Sequence, residues 1–96
     1  MNINRNSKDR DKKEKARTNI EAIPNPAKGY TNVVISYQYN KGTATLYDLA
    51  GRQLQSFTLD GSTTIPVNLS GLPEGIYIVE IVTTSHKDAV KIINSK

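Results

Sequence analysis

The sequence predicts an all-β fold, an antiparallel β-sandwich of about seven strands. Short runs rich in β-branched and aromatic residues recur along the chain, and turn signals separate them about every 8–12 residues. Apolar residues within these runs alternate with period two, as strands with one buried face require. No comparable stretch has the period of an amphipathic helix, so we expect strands throughout.

The expected strands follow from that alternation. In order they are residues 20–23, 31–39, 43–47, 52–59, 63–69, 76–81 and 89–93. The first run ends at Pro24-Asn25-Pro26, since proline cannot lie within a central strand. Pro66 places the fifth strand at a sheet edge for the same reason.

The turns are also predicted from local chemistry. Asp48 to Gly51 has the form of a type I turn closed by a left-handed glycine, and Asp60-Gly61 is a hairpin signal. Pro73 and Gly75 fit positions i+1 and i+3 of a further type I turn. The apolar residues of the fourth run break alternation, which predicts a β-bulge near Ser56.

Charge is concentrated at the N-terminus. Residues 1–20 hold seven basic residues against three acidic ones, which accounts for the whole net charge of +4. We therefore predict a charged flexible tail or linker at 1–19 and a folded domain at 20–96. Because acidic residues are interleaved and no aromatic residue is present to stack on bases, nucleic acid is not an expected partner.

Several classes of protein are disfavoured. The chain has no cysteine, its first residues lack the apolar segment of a signal peptide, and no run reaches the ~20 residues of a transmembrane helix. Its single histidine, His86, lies in a predicted turn as a solvated residue without metal-ligand partners. Neither a catalytic constellation nor a phosphate loop is present, so we expect no enzyme, no metal and no cofactor.

The large apolar residues of the alternating runs should form the core between the two sheets. The predicted core residues are Val33, Ile35, Tyr37, Leu46, Leu54, Phe57, Ile65, Val67, Leu69, Tyr77, Val79, Ile81, Val90 and Ile92.

Four motifs occur in a specific order. They are Pro24-Asn25-Pro26, the run LYDLAGR at 46–52, the run LSGLPEGIYIV at 69–79, and KII at 91–93. Each motif is common by itself, but the ordered set closely resembles the type A C-terminal sorting domain of type IX secretion cargo proteins. The resemblance covers about residues 20–96.

That resemblance implies an Ig-like sandwich that acts as a folded secretion signal. The expected partners are an N-terminally fused cargo domain, the outer-membrane translocon with its shuttle proteins, and a sortase-like cysteine peptidase that removes the signal. The cargo would cross the periplasm and outer membrane and end at the cell surface or in the medium. Such cargo carries a signal peptide and a large domain, so this sequence is expected to be part of a longer protein.

Residue roles carried over from the family are expectations only. The recognition positions would be Gly51, Arg52, Pro73, Gly75, Tyr77, Lys91 and Ile92. Cleavage would fall in or near Thr18, Asn19, Ile20, Glu21 and Ala22. The polar ending after the last apolar strand also suggests that a partner captures this strand by β-augmentation.

Two other functions fit parts of the sequence. A generic Ig-like or fibronectin-like module would use the five tyrosines for adhesion or carbohydrate contact. Core packing of these rings is the simpler interpretation, because an amphipathic ring can bury its body and expose its hydroxyl. A more distant alternative is nucleic-acid binding by the basic tail.

Overall fold

The structure is a computed structural model that describes residues 19–95. This part of the chain contains seven strands and no helix, which confirms the predicted all-β class. The strands are β1 (Ile20–Ile23), β2 (Tyr30–Ile35), β3 (Gly42–Asp48), β4 (Gln53–Leu59), β5 (Thr64–Asn68), β6 (Gly75–Thr83) and β7 (Lys87–Asn94). The predicted charged tail lies, apart from Asn19, outside the described residues.

Two antiparallel sheets form the sandwich. One has three strands in the order β1-β2-β5, and the other has four in the order β4-β3-β6-β7. Consecutive strands are joined by connections of at most six residues, so each strand begins at the end of the sandwich where the previous one stopped. β5 pairs with β2 in the three-stranded sheet and lies at its edge, as Pro66 predicts.

The core lies between the two sheets and matches most of the prediction. Buried apolar residues are Ile20, Ala22, Ala27, Val33, Ile35, Ala44, Leu46, Leu59, Ile65, Val67, Leu69, Tyr77, Val79, Ile81 and Ile92. Four predicted members are only half-buried, namely Tyr37, Leu54, Phe57 and Val90. Leu54 and Phe57 belong to β4 and Val90 to β7, the two edge strands of their sheet, where fewer neighbours cover a side chain.

The second strand is shorter than predicted. β2 ends at Ile35, and Tyr37 and Tyr39 belong to the following connection. The ring of Tyr37 stacks on His86 with centroids 3.9 Å apart, and its hydroxyl lies 3.3 Å from the Thr83 hydroxyl. His86 lies in the connection between β6 and β7, as predicted, but it is half-buried by this packing and not fully solvated.

The bulge in β4 lies at Leu54, two residues before the predicted position. Leu46 pairs with Gln55 and Tyr47 with Gln53, so Leu54 is the extra residue. Ser56 pairs regularly with Thr45. The irregularity thus follows directly on the turn between β3 and β4.

Gly42 is a site of close backbone approach. The expected third strand began at residue 43, but Gly42 is the first residue of β3 and pairs with Thr83. A Cβ atom at this position would lie 2.6 Å from the carbonyl oxygen of Val82, well inside normal contact distance. The absence of a side chain here lets β3 and β6 pair at full length.

We predict that Gly42→Ala destabilises the domain by about 1–3 kcal/mol, the usual cost of overpacking against a backbone that must shift. Thr43→Ala, at an exposed neighbouring position in the same strand, is the matched control and should change stability by less than ~0.5 kcal/mol. Urea denaturation of both variants measures the difference. Equal midpoints for Gly42→Ala and the unsubstituted protein would contradict the proposed close approach.

Candidate functional site

The four sequence motifs meet at one end of the sandwich. Residues 24–29 connect β1 to β2, residues 49–52 connect β3 to β4, residues 69–74 connect β5 to β6, and β7 finishes beside them. We refer to these segments together as the motif end. A pocket of about 570 Å³ opens here, lined by residues 28–29, 69–73 and 94–95.

Asn25 joins the first connection to the last strand. Its side-chain Nδ2 donates to the Lys91 carbonyl at 2.8 Å, and its Oδ1 accepts from the Ile93 N–H at 2.9 Å. The side-chain amide thus offers one donor and one acceptor to the edge of β7, as the backbone of a neighbouring strand would.

Ala27 and Asn94 extend this contact into the core. The Ala27 N–H donates to the Ile93 carbonyl at 2.7 Å, and the Ser95 N–H donates to the Ala27 carbonyl at 2.8 Å. Ala27 and Asn94 thereby form an isolated parallel bridge. The first connection and the end of β7 consequently run side by side.

The side chain of Asn94 connects three segments of the motif end. Its Oδ1 accepts from the Gly29 N–H at 3.1 Å, and its Nδ2 donates to the carbonyls of Leu72 and Pro73 at 3.3 and 3.4 Å. Asn94 is buried, so these bonds satisfy an amide that would otherwise be costly to desolvate. Sequence reasoning missed this residue, although it continues the inward alternation of Ile92.

The turn between β3 and β4 is held by Asp48. The Gly51 N–H donates to the Asp48 carbonyl at 3.0 Å and Gly51 has φ 88°, which confirms the predicted turn with a left-handed glycine. The Asp48 carboxylate accepts from the N–H groups of Ala50 and Arg52 and from Arg52 Nε, each at 2.9 Å. Arg52 nevertheless leaves 78% of its side chain exposed.

The connection between β5 and β6 differs from the predicted Pro73–Gly75 turn. The hydrogen-bonded turn runs from Leu69 to Leu72, whose N–H donates to the Leu69 carbonyl at 3.0 Å. Gly71 supplies the positive φ within it, at 86°. The hydroxyl of the buried Tyr77 donates to the Pro73 carbonyl at 2.6 Å and so fixes the second half of the connection to the core.

Exposed apolar residues concentrate at the same end. The large hydrophobic residues with the most exposed surface are Ile23, Tyr30, Leu49, Val82 and Ile93. All except Val82 lie at the motif end, and we name these four the apolar rim. Leu49 and Tyr30 are the most open, at 66% and 56% exposed.

A family comparison identifies the domain. The sequence profile of the secretion system C-terminal sorting domain matches residues 21–95, which includes nearly all of the sandwich. The chain belongs to this family. The type IX sorting domain is a C-terminal secretion signal, so membership implies export across the outer membrane. A search of curated proteins found no matching relative.

The sorting domain presents some of its family motif residues and buries others. Gly51, Arg52, Pro73 and Gly75 are exposed at the motif end, and Lys91 is exposed on the outer face of the four-stranded sheet. Tyr77 is 6% exposed and Ile92 is 0% exposed. The buried pair therefore contributes to the shape of the domain, whereas the other five residues are accessible to a partner.

Of the residues expected at the cleavage point, Asn19 lies at the opposite end of the sorting domain, beside Asp88, and the next three belong to β1. Thr18 is outside the described residues, and Asn19 immediately precedes β1. Ile20, Glu21 and Ala22 are within β1 and pair with β2, and both apolar members are buried. A peptidase could reach these three peptide bonds only after β1 had separated from its sheet.

The described part of the sorting domain contains neither a cluster of metal-binding side chains nor a membrane-spanning helix. Across residues 19–95, no three His, Asp or Glu side chains are grouped closely enough to hold a metal ion. Nor does any described segment form a helix with the length and hydropathy needed to cross a membrane.

The charge on Asp48 makes the stability of the turn between β3 and β4 depend on pH. The Arg52 N–H that donates to the Asp48 carboxylate lowers the pKa of this carboxyl below its ordinary value of 3.8, and the guanidinium adds to the effect. A carboxyl whose pKa is lowered by folding stabilises the native state above its unfolded pKa. This stabilisation is lost as the pH falls through the lowered value.

We predict that Asp48→Asn lowers the melting temperature at pH 7, because the neutral amide binds the two N–H groups and Arg52 more weakly. The difference should begin to shrink as the pH falls below 3.8, where Asp48 of the unfolded chain takes up a proton, and should vanish below the lowered pKa of the folded protein. Asp60→Asn is the control, since that carboxylate accepts from the Ser62 hydroxyl at 3.4 Å and lies at the opposite end. A constant difference from pH 7 to pH 2.5 would contradict the assigned role of the charge.

Proposed function

We propose that residues 20–96 are a non-catalytic signal whose motif end is recognised by the type IX outer-membrane translocon and its shuttle proteins. In this proposal the cargo is fused before residue 19, and a sortase-like cysteine peptidase removes the signal after passage. The observation that supports it is the convergence of all four motif segments at one end, with Asn19 at the other.

Asn19 marks the point at which an attached cargo protein would join the sandwich. Asn19 donates from its side chain to Asp88 at 3.2 Å, near the start of β7, whereas the motif end lies beside Asn94. A strand rises about 3.3 Å per residue, so roughly 20 Å separates the two ends. A cargo joined before Asn19 would leave the motif end open to a receptor.

The apolar rim supplies suitable binding chemistry. Interfaces derive most of their affinity from a few apolar or aromatic residues that lose water on binding, with polar groups around them. At the motif end, Tyr30 and Leu49 offer such residues, and Arg52 and Lys28 lie exposed in the same region. A receptor with an apolar surface that matches this end would bind it tightly.

We propose a smaller range of cleavage positions than residues 18–22, the range that the family resemblance suggests. Peptidase clefts bind extended chain that is free of strand pairing, and residues 20–22 are paired within β1. We place the cut at or before Asn19, so that β1 stays with the sorting domain. The cargo would then leave with the segment that precedes the sandwich.

The deciding experiment fuses a Sec signal peptide and a fluorescent reporter to residues 1–96. We predict delivery to the surface or medium in cells with an intact type IX system, and periplasmic retention when the translocon is deleted. The mass of the delivered reporter should place its new C-terminus at or before Asn19. Retention in both strains would refute the sorting function, and a C-terminus within 20–22 would refute only the proposed cleavage position.

Substitutions in the apolar rim test which end is recognised. We predict that Leu49→Ser combined with Tyr30→Ser reduces delivery about tenfold or more, since the loss of a central hot-spot contact costs about 2 kcal/mol or more of binding. Val82→Ser, an exposed apolar residue near the opposite end, is the matched control and should be delivered normally.

Both variants should keep the melting temperature of the unsubstituted domain, because exposed substitutions rarely change stability by more than ~0.5 kcal/mol. Normal delivery of the folded rim variant, or an equal defect in Val82→Ser, would contradict recognition at the motif end.

A further inference from the structure

The outer edge of β7 is closed by a short segment from the first connection. We name residues 25–27 the strap. Along β7, alternate residues direct their backbone groups away from β6, and these outward groups include the Lys91 carbonyl, both groups of Ile93 and the Ser95 N–H. All four are bound by the strap, through the Asn25 amide and the backbone of Ala27.

The strap pairs with the edge of β7 as a strand would, but it supplies fewer backbone hydrogen bonds than a regular strand. Pro24 and Pro26 have no N–H to donate, and half of the bonds to β7 come from the side chain of Asn25. The paired backbone is limited to the single bridge between Ala27 and Asn94. A regular strand would provide a backbone donor and acceptor at every second residue and would extend the pairing beyond Lys91.

The geometry points to a strand-accepting site at this edge. We propose that, during recognition, the strap moves away from β7 and an extended segment of the translocation machinery takes its place as a fifth strand of the four-stranded sheet. This step rests on the proposed sorting function. It modifies the β-augmentation hypothesis, because the edge is occupied from Lys91 to Ser95 in the isolated domain.

The space occupied by the strap restricts the incoming segment. Ala27 is fully buried, so the position that it leaves can take only a small side chain without disturbing the core. On the other face, the next side chain would lie beside Ile93, which is 40% exposed. The expected partner is therefore an extended peptide with alanine, glycine or serine facing inward and an apolar residue facing outward.

A simpler alternative is that the strap only protects an edge strand from self-association. The two functions differ in one respect. A strap that must leave cannot be fixed in place without loss of recognition, whereas a protective strap can be fixed with no effect.

A disulfide can fix the strap. Lys28 and Ser95 each follow a member of the parallel bridge pair and line the same pocket, so we choose Lys28→Cys and Ser95→Cys for the cross-link and verify the disulfide by mass spectrometry. In the reporter fusion, we expect the oxidised double variant to be delivered at least tenfold less than either single variant. Delivery of the fully oxidised double variant at the single-variant level would overturn the proposal and favour the protective function.

A second disulfide serves as the matched control. Thr43 and Val82 are antiparallel partners with exposed side chains on β3 and β6, away from the strap. Fusions with Thr43→Cys and Val82→Cys should be delivered normally when oxidised. Equal retention of both cross-linked proteins would also overturn the proposal, because the defect would then not be specific to the strap. Failure of the unsubstituted fusion to be delivered would instead refute the sorting function itself.

Loosening the strap gives an independent measurement. In Asn25→Ala, amide hydrogen exchange should accelerate at Ile93 and Ser95 by at least tenfold, while the amides of Ile92 and Asn94, which face β6, stay protected. The fusion should still be delivered, because the partner replaces Asn25. Loss of delivery from a folded Asn25→Ala domain would contradict the proposal by making Asn25 itself the recognised group.

Discussion

In the free domain, the hydrogen bonds between residues 25–27 and the end of β7 hold the first and last segments of the motif end together. They join positions 66–68 residues apart in a domain that has no disulfide. Such bonds form only when the intervening chain is already folded, since loop closure over this distance must be offset by the sheets between. The motif end therefore exists only in a complete sandwich, and a receptor that binds it selects folded domains.

Asn94 illustrates how recognition and stability are connected here. Its amide binds backbone groups from two other segments, so the positions of Gly29, Leu72 and Pro73 all depend on one side chain of the last strand. Tyr77 contributes from the neighbouring strand by fixing Pro73 from within the core. The buried residues Asn94 and Tyr77 thus position exposed parts of the motif end, and loss of sorting in a variant of either residue would not by itself identify a contact with the receptor.

Local signals predicted most of the fold. Alternation, prolines and turn glycines located all seven strands, and Asp48 and Gly51 specified their turn completely. The errors arose where tertiary contacts override local pattern. Tyr37 continues the alternation of β2 yet leaves the strand to stack on His86, which is distant in sequence. Alternation also gives little weight to small residues, so the buried alanines were missed.

For the site, the motifs were visible in the sequence, but the hydrogen bonds of Asn25 and Asn94 leave no trace in neighbouring residues. The meeting of the motif segments at one end could have been predicted from the sequence. Successive strands reverse direction, so the connections after β1, β3 and β5 must lie at the same end of the sandwich.

Charge makes only a small contribution to the folded part of the molecule. Residues 21–96 contain equal numbers of basic and acidic residues, and the excess of basic charge lies in the first 20. Long-range steering of the sandwich itself would therefore be weak, so affinity must come from contacts that act at short range. The motif end offers two of these, an exposed apolar rim and a strand edge whose backbone groups are paired with the strap in the free domain. The rim depends on its apolar side chains, whereas the strand edge depends on the geometry of backbone groups.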